Sequence, residues 1–423
     1  METSLENQIN ITVNRNKFSG TILIKKAENN LFSASYGYAN RSDNIKNTID
    51  TRFGIASGCK LFTSIAICQL VEKGKLSFES KLEDCLPINF PNFNKDITIH
   101  HLLTHTAGIP DYFDEEIMDD FEELWIDLPM YHIRKLTDFL PLFQNKPMKS
   151  SAGEKFHYNN AGYILLGLVI EEVSKMSFTD FIEENIFKKV GMQNSGYYEL
   201  DALPKNTALG YIDLPNNKWR TNIYSLPAKG GADGGAFVTP LDMSSLWNAL
   251  LTNQLLSDEY TSKLLTPFIQ TKKSTGFYGY GLWIEKKENA IFKYHIMGYD
   301  PGVNFHSAFY PKSQIHTVIC SNKSEGAFEV SKLIEDQLIL KMDNQCFHRI
   351  IFHVPKLLLS DTENFLPYND LFLLLAKPPR HVSHPENSLA IGSNQHFLCD
   401  FKYYSIIKRY REFPVVETPC IYI

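Results

Sequence analysis

Residues 51–76 read TRFGIASGCKLFTSIAICQLVEKGKL. No polar face interrupts this stretch between Leu61 and Val71, so we expect a helix that is buried on all sides. A Ser-x-x-Lys pattern, Ser57 to Lys60, opens the helix. Residues three apart lie on one helical face, so the lysine amine can reach the serine hydroxyl. The stretch therefore predicts a central helix with a candidate nucleophile at its start.

Strand-like segments stand on both sides of a mainly helical middle. Residues 18–40 predict an antiparallel hairpin around the turn signal Glu28-Asn29-Asn30. Further helices are predicted to begin near Thr98, Asn160 and Thr239. Strand-like runs then return, and an amphipathic helix closes the region; these segments span 278–286, 291–298, 304–311, 316–320 and 327–340. This order predicts one sheet completed from both ends of the sequence, with a helical insertion at roughly 80–230.

Composition narrows the class of protein. The 423 residues are 43% hydrophobic and 21% charged, as in globular proteins. A net charge of −6, with Lys and Arg spread along the chain, argues against nucleic acid as a partner. Apolar runs such as 163–170 fall short of the roughly 18 residues that a membrane helix needs. The first residues, METSLENQINITV, contain no apolar signal region, and the seven cysteines form no CxxC pair. We expect a cytoplasmic protein with free thiols and no membrane partner.

The Ser57–Lys60 pair needs a base to become a nucleophile. A helix N-terminus contributes only about 0.3–1 kcal/mol, less than one pKa unit. Lys60 can be the base if burial disfavours its charged form, an effect worth up to roughly 3–5 pKa units. The alternative is that Ser57 caps the helix and Lys60 extends to the surface. The pattern alone is weak, because Ser405 and Lys408 match it equally well.

A second group of polar residues lies about a hundred residues further on. The segment 153–167, GEKFHYNNAGYILLG, places Tyr158 and Asn160 just before another apolar helix. A tyrosine beside a lysine ammonium can titrate low enough to relay a proton, and an asparagine amide offers both a donor and an acceptor. The alternative is that Asn160 caps the helix and that the Tyr158 ring packs in the core.

Five blocks in this order and spacing resemble the serine β-lactamase and penicillin-binding-protein superfamily, in particular its class C-like β-lactamase-related hydrolases: TRFGIASGCK, ITIHHLLTHTAGIPDYF, GEKFHYNNAGYILLG, KGGADGGAFVTPLDM and YGYGLWIEK. The resemblance covers roughly residues 15–340. It implies an α+β, β-lactamase/transpeptidase-like fold, in which a five-stranded antiparallel sheet flanked by helices stands beside a helical subdomain. It also implies that Ser57 is acylated, Lys60 is the general base, Tyr158 relays protons and Asn160 binds the substrate amide.

The third motif of this family is altered in the chain. The family carries Lys-Thr-Gly or His-x-Gly on a strand, followed by an N–H of the oxyanion hole. Residues 294–302, YHIMGYDPG, align with it through Gly298, which leaves Ile296 in the place of the cation. His295 falls one residue early and reaches the cleft only through a bulge, because one residue of slip reverses the face of a strand. We expect Gly298, Tyr299 and His295 in the substrate site, with the N–H groups of Ser57 and Tyr299 forming the oxyanion hole.

Two further features predict structure rather than chemistry. His101 and His105 have the spacing of metal ligands on a helix, but no third ligand accompanies them. Residues 230–235, GGADGG, lack the lysine of a phosphate loop and are interpreted as a flexible loop at the rim of the cleft, with Asp233 as a candidate substrate contact.

The resulting hypothesis is a serine hydrolase domain at 1–343 that needs no metal or cofactor. Its substrate is a small molecule or peptide: an ester, an amide or a D-amino-acid peptide. The alternative is a binding or scaffold protein of the same fold that turns over weakly or not at all. Residues 344–423 show no sustained period and are expected to form a poorly ordered extension. The sequence leaves the oligomeric state open.

Overall fold

An antiparallel sheet of eight strands organises the computed structural model of the protein, which describes residues 2–342. The strands of this region are β1 Gly20–Lys26, β2 Asn29–Tyr36, β3 Tyr38–Asn40, β4 Ile45–Lys46, β5 Phe53–Gly54, β6 Tyr211–Leu214, β7 Lys218–Thr221, β8 Phe237–Val238, β9 Ile269–Gln270, β10 Gly276–Tyr278, β11 Trp283–Lys287, β12 Ala290–Asp300, β13 Val303–Tyr310 and β14 Ile315–Ser321. The predicted C-terminal extension lies outside the described residues.

The main sheet has the order β2-β1-β14-β13-β12-β11-β10-β9. The hairpin predicted at the start is confirmed, and β1 also pairs with β14, so both ends of the domain complete one sheet. The expectation of five strands is wrong in number. The five long strands β2, β1, β14, β13 and β12 are present side by side, and the shorter strands β11, β10 and β9 extend the sheet beyond β12. The strand-like run predicted at 278–286 contains most of β11, whereas β9 and β10, with two and three residues, are too short to carry an alternating pattern.

Nine α-helices flank the sheet within residues 2–342: α1 Glu2–Arg15, α2 Lys60–Glu72, α3 Leu82–Cys85, α4 Ile99–Leu103, α5 Asn160–Ser174, α6 Phe178–Ile182, α7 Pro240–Leu251, α8 Asp258–Leu264 and α9 Ala327–Ile334. Single turns of 3₁₀ or π helix lie at Ala56–Cys59, Phe121–Trp125, Met130–His132, Leu136–Leu142, Glu183–Phe187, Lys188–Val190 and Glu335–Ile339. No helix in the described part of the chain is both long and apolar enough to cross a membrane.

Two helix starts confirm the capping signals of the sequence, and a third differs by one residue. Thr98 caps α4 by accepting a hydrogen bond from His101 N, and Thr239 caps α7 by accepting one from Asp242 N. At α5 the cap is Asn159 rather than Asn160, since the Asn159 side chain accepts a hydrogen bond from the third residue of the helix. The Asn160 side chain is therefore available for other contacts.

Two hydrophobic layers enclose the sheet. Helix α2 is buried along almost its whole length, as predicted, and packs with α5 and α7 against one face. Helices α1 and α9 cover the other face, where Ile9 and Val13 meet Ile22 and Val330. The sequence analysis did not predict α1. Its apolar residues do recur at helical spacing, and this recurrence is the signal that could have revealed it.

Candidate active site

A cleft of about 780 Å³ opens beside the start of α2. Its wall combines the residues before and after Ser57, the segment that precedes α5, the loop at 230–235 and the end of β12. The sequence-predicted residues Ser57, Tyr158, Asn160, Gly298 and Tyr299 all line this cleft. Tertiary folding has therefore brought together three segments that lie about a hundred residues apart.

Ser57 sits in a tight 3₁₀ turn, Ala56–Cys59, immediately before α2. Ala56 has a φ of 44°, a left-handed value that is uncommon for a residue with a side chain. Behind the turn a side chain at Gly58 would lie 2.7 Å from the Phe305 ring, so the turn packs directly against β13. Backbone strain of this kind persists only where the surroundings enforce it. The turn holds Ser57 half-buried at the wall of the cleft.

Lys60 is 1% exposed and reaches back to the serine. Its Nζ lies 2.9 Å from Ser57 Oγ, 2.8 Å from Asn160 Oδ1 and 2.7 Å from the carbonyl oxygen of Asp233. An ammonium has three hydrogens to donate, and here three acceptors surround it. After loss of one proton, two donors remain for Asn160 and Asp233, and the lone pair faces Ser57. This geometry suits a general base that takes the hydroxyl proton.

Asn160 is held from behind by Asp111. The Asp111 carboxylate accepts hydrogen bonds from the backbone N–H groups of Asn160 at 2.8 Å and Ala161 at 2.9 Å. The Asn160 amide nitrogen donates to the carbonyl oxygen of Phe113 at 3.2 Å. Burial raises the pKa of Asp111 to about 7, against the lowering effect of these backbone donors. The Asn160 amide is thus engaged by protein groups. These contacts favour a role for Asn160 in positioning Lys60 over the predicted role of binding a substrate amide.

Tyr158 stands next to the nucleophile, and its hydroxyl is hydrogen-bonded to Ser57. Its ring stacks on Trp283, with centroids 5.8 Å apart and the planes 16° from parallel. The Lys60 Nζ lies over the face of the ring, 4.9 Å from its centre. Burial, and then the nearby carboxylate of Glu115, hold the pKa of Tyr158 well above its ordinary value. The expectation of a tyrosine that titrates low is therefore wrong, and Tyr158 enters the site as a neutral phenol.

The glycine-rich loop at 230–235 is not the flexible rim that the sequence analysis expected. Ala232 and Asp233 are 0% and 4% exposed, and the carbonyl oxygen of Ala232 accepts a hydrogen bond from Thr63 of α2 at 2.6 Å. A side chain at Gly230 would lie 2.5 Å from the Cα atom of Gly235, so the two ends of the loop touch. The side chain of Asp233 accepts a hydrogen bond from the Tyr112 hydroxyl. Asp233 is therefore a buried residue whose side chain is held by Tyr112 and whose carbonyl oxygen accepts a hydrogen bond from Lys60.

The end of β12 packs on the turn that carries Ser57. A Cβ atom at Gly298 would lie 2.0 Å from the carbonyl oxygen of Ile55 and 3.0 Å from the Ala56 Cβ atom. Only glycine allows so close an approach of two backbones. The next residue, Tyr299, lines the cleft, with its side chain 50% exposed. The sequence prediction of an oxyanion hole between Ser57 and Tyr299 is compatible with this packing.

His295 is not part of the cleft. It lies opposite Ala308 on β13, and its ring stacks on that of His306 at 5.3 Å. His306 in turn is hydrogen-bonded to Ser331 of α9, so this face of the strand points to the α1 and α9 layer. Ile296, the next residue, is 2% exposed in the other layer. The bulge that would have turned His295 is absent from the pairing of β12 with β13, so its prediction as a substrate-binding residue is wrong.

The two histidines with metal-ligand spacing serve other purposes. The Nδ1 atom of His101 accepts a hydrogen bond from the N–H of Thr98, and that of His105 accepts one from the N–H of Asn159. The His105 ring lies 4.4 Å from that of Tyr158. Within residues 2–342, no group of three or more Asp, Glu, His or Cys side chains is placed to hold a metal ion.

Three residues of the site were missed by the sequence analysis: Asp111, Trp283 and Asp300. Asp111 and Trp283 stand inside quoted blocks, at HTAGIPDYF and YGYGLWIEK, so their proximity to conspicuous motifs was the available signal. Asp300 likewise stands inside the segment 294–302 that was aligned with the third motif, and it lines the cleft.

Comparison with known proteins agrees with this geometry. The family model described as Beta-lactamase matches residues 19–340. Penicillin-binding protein 4* of Bacillus subtilis is 29% identical over 328 residues, covering 74% of this chain and 69% of its own length. The crystal structure of a penicillin binding protein from Bacillus halodurans is 58% identical with a TM-score of 0.74, covering 78% of this chain and 99% of its own.

A more distant structure, the octameric penicillin-binding protein homologue of Pyrococcus abyssi, is 26% identical with a TM-score of 0.71, covering 80% of this chain and 77% of its own. The matched region contains the sheet, the helical part and every residue of the cleft described above. The chain therefore belongs to the Beta-lactamase family, with penicillin-binding proteins among its relatives.

Proposed function

We propose that the protein is a serine hydrolase that forms an acyl-enzyme at Ser57 and hydrolyses a small ester, an amide or a D-amino-acid peptide. The observation that carries this proposal is the 2.9 Å separation of Lys60 Nζ and Ser57 Oγ at the wall of the cleft. A nucleophile and a base within hydrogen-bonding distance, with the base oriented by a third group, is the arrangement that covalent catalysis requires.

The proton path follows from the hydrogen bonds. Ser57 Oγ attacks the carbonyl carbon of the substrate, and its proton passes to Lys60 Nζ. Tyr158, a neutral phenol hydrogen-bonded to Ser57, donates its proton to the leaving alcohol or amine and becomes a phenolate beside the Lys60 ammonium. Water then attacks the acyl ester and gives its proton to the Tyr158 phenolate, while Lys60 returns its proton to Ser57 Oγ and the acid is released. Asn160 and Asp233 hold Lys60 in place throughout.

The negative charge of the tetrahedral intermediate needs donors that are already in place. We assign this role to the backbone N–H groups of Ser57 and Tyr299, which the contact between Gly298 and Ile55 brings near each other. Loss of one such donor costs about 2.7–4 kcal/mol in other hydrolases. Recognition of a substrate carboxylate by a cation on β12 has no support here, because Ile296 occupies that position and is buried.

Covalent labelling tests the proposal. The protein is incubated with a fluorophosphonate and, separately, with benzylpenicillin, and then analysed by intact-mass and peptide mass spectrometry. We expect one adduct on Ser57 with the fluorophosphonate, and turnover of p-nitrophenyl acetate that Ser57→Ala abolishes. The matched control is Ser64→Ala, which removes a fully buried serine from the same helix and should leave labelling intact.

Two outcomes would overturn the assignment. Full turnover by Ser57→Ala would mean that another group is the nucleophile. Failure of every acylating probe to label a folded protein would favour the alternative, a binding protein that retains the fold without turnover. A β-lactam adduct that persists for hours would show acylation without efficient release.

We also propose a location in a reducing compartment such as the cytoplasm. Cys59, Cys68, Cys85 and Cys320 are free thiols in the described part of the chain, and three of them are buried. Burial raises the pKa of the Cys59 thiol to about 12, which makes it unreactive beside the nucleophile. Immunofluorescence or fractionation of cells that express the full chain tests this location.

A further inference from the structure

Acidic side chains outnumber cationic ones in the lining of the cleft. Its lining contains six acidic residues and a single cationic one: Glu115, Asp119, Asp120, Glu122, Asp233, Asp300 and Arg220. Arg220 is already paired with Glu122 at 2.5 Å. Lys60 lies behind Ser57 and is surrounded by protein acceptors. No unpaired cation therefore lines the cleft within the described residues, and acidic groups predominate on its wall.

Most of these carboxylates have partners within the protein. Asp233 accepts a hydrogen bond from Tyr112, Glu115 from the Asn160 amide, and Glu122 from Ser225 as well as Arg220. Asp119 and Asp300 make no hydrogen bond or ion pair with any described residue through their carboxyl groups, and Asp119 is exposed to solvent. Asp300 is only partly exposed, at the end of β12.

The backbone around Asp300 fixes where its side chain points. Asp300 lies opposite Val303 in the sheet, and paired residues of antiparallel strands share a face. The Val303 side chain would lie 3.3 Å from a Cβ atom at Gly54, three residues before Ser57. The turn that follows is anchored, because Asn222 donates to the carbonyl oxygen of Pro301 at 2.9 Å. The Asp300 carboxyl therefore faces the nucleophile side of the sheet from a rigid position.

Asp300 also follows closely on the strand residues that pack against the turn of Ser57. It is one same-face position beyond Gly298, about 6.7 Å along the strand, and directly follows the proposed oxyanion donor Tyr299. An amine one or two bonds from a scissile carbonyl in the proposed oxyanion hole can then lie between that carbonyl and the Asp300 carboxyl group. Burial, and then the charge of Asp233, raise the pKa of Asp300 to about 8 against the lowering effect of Lys60. The carboxyl group is therefore largely protonated in the empty cleft at pH 7, and an ammonium group bound beside it favours its ionised form.

From this geometry we propose that the substrate carries a free amine near its scissile carbonyl, as an aminoacyl ester, amide or short peptide does, and that Asp300 binds the ammonium group. The inference rests on the proposed function, because it names the substrate class of the same cleft. Asp300 supplies the counter-charge, and the cleft discriminates against acyl groups that bear a carboxylate. In this chain buried Ile296 stands at the cation position of the third motif, and the ionisable group at the end of β12 is the carboxyl group of Asp300.

Three matched p-nitroanilides test the charge preference at pH 7. Their acyl groups are alanyl, propionyl and succinyl, and the alanyl compound is used as both enantiomers. They present an ammonium, no charge and a carboxylate, and the alanyl amine is mostly charged because its pKa is about 8. We expect kcat/KM for one alanyl enantiomer to exceed that for propionyl by at least about tenfold, and succinyl to be the poorest substrate.

The variant Asp300→Asn removes the charge with little change of shape. We expect it to lose at least about tenfold in kcat/KM for the alanyl substrate, mainly through KM, and to hydrolyse propionyl p-nitroanilide as the unchanged protein does. The matched control is Asp119→Asn, an exposed carboxylate on the same cleft, which should keep the preference.

The outcomes separate the two proposals. If Ser57 is labelled by a fluorophosphonate but alanyl and propionyl substrates react equally, the amine subsite is wrong and the hydrolase stands. Equal losses for both substrates in Asp300→Asn would also refute the subsite, since they indicate a structural role. Absence of both labelling and turnover would refute the hydrolase and the subsite together.

Discussion

The carbonyl oxygen of Asp233 lies 2.7 Å from Lys60 Nζ, so a loop 173 residues away in sequence anchors the proposed general base. Asn160 Oδ1 provides the second anchor at 2.8 Å, which leaves Ser57 as the third contact of the amine. The base is therefore aimed by two oxygen atoms that cannot leave with the product. Such fixed positioning supplies part of the catalytic effect before any substrate binds.

Removal of the base tests this arrangement. Lys60→Met keeps a side chain of similar volume without Nζ, and we expect kcat/KM for p-nitrophenyl acetate to fall by about 10²–10⁴-fold. The fold should also lose about 1–3 kcal/mol, because Asn160 and Asp233 lose a partner. Thr63→Val is the control: it removes another bond to the same loop, at 2.6 Å, without touching Ser57. It should cost about 1 kcal/mol in urea unfolding and retain most activity; comparable activity losses in both variants would contradict the role of Lys60.

The contact of β12 with the nucleophile turn makes Gly298→Ala a test of the oxyanion hole. The new methyl group would lie 2.0 Å from the carbonyl oxygen of Ile55, so the strand must move away from Ser57. We expect kcat to fall by about 10²–10³-fold with a smaller change in KM. Gly234→Ala is the comparison, because its Cβ atom would meet nothing closer than 3.8 Å. Unchanged kcat in Gly298→Ala would remove this strand from the catalytic geometry.

His105 is predicted to position Tyr158. It is 2% exposed, adopts a φ of 57°, and its Nδ1 atom accepts the Asn159 N–H at 3.1 Å. Burial keeps its pKa well below the ordinary value, so it stays neutral and adds no ionisation to the rate profile at neutral pH. We expect His105→Ala to lower kcat at least about tenfold, with a pH profile of unchanged shape.

His105→Asn should restore part of that activity. Its side-chain oxygen can replace the Nδ1 acceptor, and asparagine tolerates left-handed backbone angles better than alanine does. Equal activities of the Ala and Asn variants would argue that the ring packing, rather than this hydrogen bond, is what matters. Thermal unfolding of both variants separates loss of positioning from loss of fold.

Acid lability of the fold is expected from two buried histidines. Burial lowers the pKa of His306 to about 3 and that of His316 to about 4. Between these values and about 6.5 the unfolded chain binds more protons than the native one, so stability falls as the pH falls. Each histidine contributes a slope of up to about 1.4 kcal/mol per pH unit in its window.

The variant His316→Gln checks this dependence. In the unchanged protein the Ser244 hydroxyl lies 2.7 Å from His316 Nε2. A glutamine amide offers Ser244 a donor and an acceptor but cannot be protonated in this pH range. Urea unfolding between pH 4 and 7 should show a shallower dependence than in the unchanged protein, by up to one proton. An identical pH dependence would show that His316 does not contribute in this range.

Much of the site could be predicted because it rests on local geometry. The spacing of Ser57 and Lys60 places both on one helical face wherever that helix lies, and five ordered blocks identified the superfamily. The caps at Thr98 and Thr239 are likewise local, because the bond spans only three residues. Ser57 and Lys60 were therefore assigned without a structure, and their contact at 2.9 Å agrees with that assignment.

Other features depend on pairing between distant segments, and only the tertiary structure decided them. The register of β12 with β13 set the face of His295 and turned it away from the cleft, while the same register directs Asp300 towards it. Burial raised the pKa of Tyr158, where a lowering had been expected. It also fixed the loop at 230–235, which had been interpreted as flexible, against the residues of the site. The sequence by itself determined that Ser57 and Lys60 share one helical face, because helical spacing is local. Which charges face the substrate was decided by strand register and desolvation, which arise only when distant parts of the chain pack together.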